Sequence, residues 1–111
     1  MSIDHDFVEG AAAVRRLLGP KWSPHVMIAL GDGRKRYNEI KESINQRLDG
    51  RDCLHTKVLT DTLRDMEAHG LVHRFENADV FPPAVTYELT PGAYELMAAI
   101  GPAASAAREL P

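Results

Sequence analysis

In the stretch Thr56-Lys57-Val58-Leu59-Thr60-Asp61-Thr62-Leu63-Arg64-Asp65-Met66-Glu67-Ala68-His69-Gly70, followed by Leu71-Val72-His73-Arg74-Phe75-Glu76, the hydrophobic period changes at a single glycine. Before Gly70, Leu59, Leu63 and Met66, flanked by Val58 and Thr62, recur at helical spacing and predict a buried side for a helix over about 56–69. At 100° per residue Lys57, Thr60, Asp61, Arg64 and Ala68 fall on the opposite side. After Gly70, Leu71 to Glu76 reads as a strand. Val85, Tyr87 and Leu89 then alternate with Ala84, Thr86 and Glu88 as a second strand. The link Asn77 to Pro83 is polar at its start and stiffened by Pro82-Pro83, which predicts a β-hairpin with a projecting tip.

Upstream, Phe7, Ala11, Val14 and Leu18 repeat at helical spacing, with Asp6 placed to cap the first turn and Gly19-Pro20 to stop it. Ser23-Pro24 is a capping hydroxyl followed by proline, and the helix it opens is apolar nearly all round from Val26 to Leu30, so it belongs at the centre of the fold. Gly31-Asp32-Gly33 closes it. Tyr37, Ile40 and Ile44 form a narrow stripe on a third helix, and Asn45 to Asp52 reads as a polar loop. Thr90-Pro91 opens a terminal helix carrying Ala93, Leu96, Met97 and Ile100 on one face, with a kink or break expected at Pro102. A helix pair followed directly by a hairpin is the layout of a winged helix-turn-helix, in which the second helix of the pair enters the major groove of DNA. The predicted fold class is therefore mainly α with a small β-hairpin wing. It is expected to form a single domain over 1–111, with helical N- and C-terminal dimerisation elements at about 7–19 and 90–107.

At 111 residues the chain has room for one core. Its 44% hydrophobic and 26% charged residues suit a globular chain, and its longest aliphatic stretch, Val26 to Leu30, is far too short to span a bilayer. One cysteine, Cys53, excludes an internal disulfide and fits a reducing compartment; with no secretory segment visible, a cytoplasmic location and no membrane partner are expected. Cys53 and His55 are not an activated pair, and no nucleophile elbow or phosphate loop is present, so no enzymatic activity is expected. Gly70 separates His69 from His73, which argues against a shared metal, and no cofactor is implied.

Four ordered segments carry a resemblance that goes beyond layout. They are Lys21-Trp22, Arg36-Tyr37-Asn38-Glu39-Ile40, the run from Lys57-Val58-Leu59-Thr60 through Leu63-Arg64, Met66-Glu67 and Gly70-Leu71-Val72, and Pro82-Pro83-Ala84-Val85 with Tyr87, Leu89-Thr90 and Gly92. Over roughly residues 7 to 100 the chain resembles the HxlR family of bacterial winged helix-turn-helix transcriptional regulators. The resemblance implies a homodimer, with first and last helices packed between subunits and two winged helices on a near-palindromic operator. Three departures stand out. Glu9 occupies the place where many members carry a redox-sensing cysteine. The connection into the recognition helix looks enlarged, with His55-Thr56 at the cap, and Ala84 replaces the arginine usual after the Pro-Pro pair. Thiol switching is therefore not carried over to Cys53, which is kept only as a possible sensor.

The chemistry expected of such a chain divides between phosphate and base contacts. Lys57 or Arg64 can donate to guanine acceptors, and Thr60 can meet a thymine methyl or accept from an amino group. Asp61 can accept from a cytosine amino group or orient Arg64; the second is favoured, because a carboxylate near phosphates costs energy unless paired. Arg34, Lys35 and Arg36 are expected on backbone beside the groove, Arg74 and Asn77 on backbone from the wing, and Thr56 with the first amides of its helix at a phosphate. Phe7, Ala11, Val14, Leu18, Leu96, Met97 and Ile100 are the expected dimerisation residues, since such apolar faces left open invite association. Trp22 and Tyr87 are expected in packing. The expected partners are thus double-stranded DNA, a second copy of the chain, and a small apolar or aromatic effector between the first and last helices. Against this, the net charge is −3, and Arg34 to Glu76 holds nine Lys/Arg against eight Asp/Glu, so any cationic surface must come from arrangement. An alternative is a winged-helix protein-interaction module that has lost DNA binding, favoured by Ala84 and by Glu76 and Asp79 around the wing.

Overall fold

The computed structural model describes residues 3–111. Among these the order is α1 (Ile3–Leu18), α2 (Ser23–Leu30), β1 (Lys35–Arg36), α3 (Tyr37–Leu48), α4 (Thr56–Ala68), β2 (Val72–Asn77), β3 (Ala84–Leu89) and α5 (Pro91–Arg108). The helices and hairpin fall in the order read from the sequence, and the hairpin packs on the helices as a wing.

The core forms where the apolar stripes meet. Val26, Met27, Ala29 and Leu30 of α2, Ile40 and Ile44 of α3, and Leu59, Leu63 and Met66 of α4 are all buried, closed on the sheet side by Val72 and Leu89 and under α5 by Ala93. Helix α2 is central as expected, except that Ile28 faces out. Val58 also departs from the expected buried side of α4: it is exposed, because the inward stripe is narrow and the residue sits at its margin. Trp22, Tyr37 and Tyr87 pack against the core.

The sheet order is β1-β3-β2, all antiparallel. Val72 pairs with Leu89 and Asn77 with Ala84, so the pleat puts Val72, Arg74, Glu76, Val85, Tyr87 and Leu89 on one face and His73, Phe75, Asn77, Ala84, Thr86 and Glu88 on the other. The turn carries a cis Phe81-Pro82 peptide bond. Strand β1 pairs Lys35 with Tyr87 and Arg36 with Thr86. Two basic residues have no period to betray a strand; the β3 edge recruits them.

Several boundaries differ from expectation for identifiable reasons. Helix α1 begins at Ile3, so Asp6 lies inside its acidic first turn rather than capping it. Ser23 is the first residue of α2, buried, with Trp22 at the cap position and no side-chain cap bond. Helix α3 runs on through Asn45 to Leu48, residues expected in the loop, and ends where Asp49 takes a left-handed conformation (φ 50°). The connection that remains is pinned by Asn45, whose Oδ1 accepts from the Leu54 amide at 2.7 Å while its Nδ2 donates to the Leu54 carbonyl at 3.3 Å. That clamp holds Leu54 in the core. Pro102 does not break α5, which continues to Arg108; Ala98, whose carbonyl has no donor in Pro102, is an exposed residue. Thr90 caps α5 as expected, accepting from Ala93 N at 3.1 Å and donating to the Gly70 carbonyl at 2.7 Å.

Candidate nucleic-acid interface

Helix α4 is held at its start by α3. The Tyr37 hydroxyl donates to the Thr56 carbonyl at 2.7 Å and lies 3.3 Å from Thr60 Oγ1, and Lys41 Nζ donates to Thr56 Oγ1 at 2.9 Å. Thr60 Oγ1 also donates to the Thr56 carbonyl at 3.0 Å. These bonds fix the two helices at the turn between them. They also commit the proton of the Thr60 hydroxyl to the Thr56 carbonyl, so what Thr60 retains for a base is its methyl group and the acceptor capacity of Oγ1. Lys41 was not among the expected interface residues, although it brings a cation to the first turn of α4; its position one turn after Tyr37 on a helix facing α4 is the signal that could have found it.

The outer side of α4 is open. Lys57 and Asp61 have side-chain exposures of 87% and 54%, and Arg64 is exposed. Asp61 does not orient Arg64: its Oδ2 takes the ammonium of Lys57 at 3.0 Å, one turn back. Beyond Arg64, a cleft of about 370 Å³ separates α4 from the wing and is lined by Thr60, Leu63, Arg64, Glu67, Arg74 and Tyr87. Arg64 and Arg74 therefore share one cleft. A hydrogen bond with Tyr87, reinforced by Glu76, holds the Arg74 guanidinium above its ordinary pKa, and Glu76 Oε2 lies 3.6 Å from Arg74 Nη1.

The basic cluster before α3 is divided. Arg34 lies over the Phe75 ring at 3.9 Å and donates from Nε to Glu88 at 3.2 Å, on the sheet face opposite Arg74. Lys35 is largely covered and bonded to Asp32, whose carboxylate is thereby held below the usual range. Arg36 is exposed between the start of α3 and the wing, its backbone N–H donating to Glu39 Oε1 at 2.9 Å. Asn77 is engaged within the wing turn, where its Oδ1 accepts from Asp79 N at 3.0 Å. The structure thus gathers Arg64, Arg74 and Lys57 around α4 and leaves Arg34 and Lys35 engaged with the sheet and the β1 turn.

Cys53 is exposed beside Asp52, whose Oδ1 accepts from the Cys53 amide at 2.8 Å and whose Oδ2 takes Lys21 at 2.7 Å. Lys21 is the main cause of the lowered Asp52 pKa. Among the described residues no group of three His, Cys, Asp or Glu is placed to hold a metal ion, and no helix is long and apolar enough to cross a membrane.

At the other end of the molecule α1, α2 and α5 border an apolar groove of about 370 Å³, lined by Leu18, Pro24, Met27, Ile28, Met97, Ile100, Gly101 and Ala104. Of the expected dimerisation residues, Leu18, Met97 and Ile100 meet here. Leu96 packs against the core, Val14 is half-buried, Ala11 is exposed, and Phe7 is 75% exposed further along α1.

Comparison with known proteins places this arrangement. The family model for HxlR-like helix-turn-helix proteins matches residues 17–105. An uncharacterised HTH-type transcriptional regulator of Bacillus subtilis, YybR, is 39% identical over 77 residues, covering 67% of this chain and 53% of its own. One from Methanothermobacter thermautotrophicus is 37% identical over 73 residues, covering 66% and 50%. The chain spans about half the length of these curated relatives. Among solved structures, a protein described as a MarR-family transcriptional regulator from Enterococcus faecalis V583 superposes with a TM-score of 0.76 at 32% identity, covering 98% of this chain and 88% of that one. Diamide-treated YodB of Bacillus subtilis gives 0.74 at 26%, covering 99% and 95%. A matched model over most of the chain, on a helix pair followed by a wing, shows that the protein belongs to the HxlR-like helix-turn-helix family of winged-helix transcriptional regulators.

Proposed function

We propose that the protein regulates transcription as a homodimer on a near-palindromic DNA site, with α4 of each protomer in the major groove. The observation that carries this reading is the two-sidedness of α4. Its leucines and Met66 are locked in the core, while Lys57, Asp61 and Arg64 stand open beside a cleft that adds Arg74 from the wing. In this arrangement Arg64 reaches base edges or phosphates, Lys57 faces the groove with its charge balanced by Asp61, Thr60 offers its methyl or a hydroxyl lone pair, and Arg36 and Arg74 hold backbone on either side. Arg34, Lys35, Thr56 and Asn77 act through the frame of the site.

The apolar groove and the exposed Phe7 support dimerisation through α1 and α5. The chain works as a single domain in the cytoplasm, and a small apolar or aromatic effector bound between those helices shifts the spacing of the two α4 helices. Oxidation of Cys53 is not the main signal. Gel-shift titration against the protein's own upstream DNA tests the reading: Lys57→Ala with Arg64→Ala removes binding, chiefly through Arg64, whose loss costs about 1–3 kcal/mol where it reads a base. Binding unchanged in the double variant overturns the assignment of α4, and only monomer in sedimentation at micromolar concentration overturns the dimer. The rival, an interaction module without DNA binding, draws on the net charge of −3 and on Glu67 inside the cleft. Failure to be retained on heparin or to give any footprint, with the dimer intact, favours it.

A further inference from the structure

Helix α1 leaves the body of the molecule as an arm. Its residues Asp4 to Ala12 are exposed, and it is anchored at its far end, where Leu17 and Leu18 pack against the core. A link from Gly19 to Trp22 joins it to α2 and starts as a tight turn. The Gly19 amide donates to the Arg15 carbonyl at 2.8 Å, and a Cβ at Gly19 would strike that oxygen. Among the described residues this link makes one side-chain hydrogen bond to another element, from Lys21 Nζ to Asp52 Oδ2 at 2.7 Å. The Lys21 ammonium also lies 5.0 Å from the centre of the Trp22 ring, which packs against the core.

Asp52 fixes the other end of this bond. It belongs to the connection between α3 and α4, outside the motifs that carry the family resemblance. Its Oδ1 accepts from the Cys53 amide, Leu54 is held in the core by the Asn45 clamp, and α4 begins at Thr56. The pair therefore ties the root of the arm to the approach to α4. In a dimer joined through α1, the direction of the arm sets the separation and relative rotation of the two α4 helices, and with them the half-site spacing that both can meet. We propose that Lys21 and Asp52 form a latch on the α1 arm and are a specificity-determining pair for half-site spacing. The inference rests on the dimer and the placement of α4 given above. The latch is closed in the free protein and on a site of matching spacing, so its energy cancels there. On a mismatched site the arm must swing, and both copies of the latch open. With side-chain exposures of 66% and 42%, each pair changes an equilibrium by about threefold, and two change it by about tenfold.

The test uses a duplex with two half-sites, selected from a random pool by the wild-type protein, and derivatives with one base pair inserted or removed between the half-sites. Each change moves one half-site by about 3.4 Å and turns it by about 35°. Affinity is read by fluorescence anisotropy for the wild type, Lys21→Met, Asp52→Asn and the double variant. Lys21→Met keeps an apolar stem beside Trp22, and Asp52→Asn keeps an acceptor for the Cys53 amide, so each removes charge from an exposed position and leaves the core intact. The wild-type penalty for altered spacing, taken as the ratio of the two affinities, is expected to fall by about tenfold in each single variant. It falls by the same factor in the double variant, because either change opens the same pair. A role in stability alone would weaken both duplexes alike and leave the ratio where it was. An unchanged ratio in the single variants, effects that add in the double variant, or a wild type indifferent to spacing overturns the latch and leaves α4 standing. A wild-type protein that enriches no duplex with two half-sites overturns the dimeric reading together with the latch.

Discussion

Replacing Asp61 with asparagine separates two roles for the carboxylate that predict opposite results. Asp61 holds the Lys57 ammonium at 3.0 Å on an exposed helix face, with the lysine N-terminal to the acid, the weaker order for such pairs. Removing the charge therefore costs the fold only about 0.3 kcal/mol. On DNA the change is larger. The wild-type pair is neutral, whereas Asp61→Asn releases one cation per protomer to a phosphate. Each added phosphate contact steepens the dependence of log affinity on log salt by about 0.9. Over the fourfold step from 200 to 50 mM, that gives the variant an extra gain of about 3.5-fold per protomer, or about 12-fold for a dimer. Anisotropy titrations of both proteins on one duplex at the two salt concentrations measure the ratio. If Asp61 instead accepts from a cytosine amino group, Asp61→Asn loses about 1–3 kcal/mol at a single base pair and its slope does not steepen. That outcome refutes the pairing argument.

Other consequences follow from packing and capping. Leu63→Ala opens a cavity beneath α4, where Leu63 is buried against the core, and is expected to lower unfolding free energy by about 2–5 kcal/mol in a denaturant titration. Thr90→Ala removes the acceptor for Ala93 N and the donor to the Gly70 carbonyl, a loss of about 1–2 kcal/mol, while Thr90→Ser retains both bonds and stays near the wild-type melting temperature. Asp52, with its pKa lowered chiefly by Lys21, contributes stability above the ordinary carboxylate pKa that is lost as the pH falls through the lowered value. Its carboxyl resonance should titrate below that of an unpaired aspartate and move up in Lys21→Ala.

How far the sequence discloses this protein depends on whether a residue's role is periodic or relational. The side of α4 that faces the core is written in three apolar residues at helical spacing, and the hairpin in alternation, so both are legible. Leu54 is not. A lone leucine among Arg51, Asp52, Cys53 and His55 carries no period, and only the amide of Asn45, nine residues earlier, makes it core. Asp61 shows the same limit at the site. Arg64 at i+3 and Lys57 at i−4 are equally near on a helix surface, so spacing cannot choose between them, and the observed partner is Lys57. The cluster Arg34-Lys35-Arg36 reads as one basic patch, yet pairing of β1 with β3 sends Arg34 to Phe75 and Glu88 while Lys35 turns to Asp32.

That division of the cations sets how strongly binding should depend on salt. Of the basic residues proposed at the interface, Arg34 and Lys35 are engaged inside the fold, and Lys57 is neutralised by Asp61. Arg36, Arg64 and Arg74 remain, the last with its Glu76 partner at a loose 3.6 Å. Three phosphate contacts per protomer give a dimer a slope of about −5 on B-form DNA, and Asp61→Asn brings it to about −7. A chain of net charge −3 can sustain that slope because Arg64 and Arg74 share the cleft beside α4, and screening confines the influence of distant carboxylates to about 10 Å at 0.1 M salt. A wild-type slope of −9 or steeper would require Arg34 and Lys35 to leave Glu88 and Asp32 on binding. Arg34→Ala discriminates directly: it should leave the slope unchanged if Arg34 stays on Phe75, and a slope reduced by about 0.9 per protomer would show that the sheet gives up its arginine to DNA.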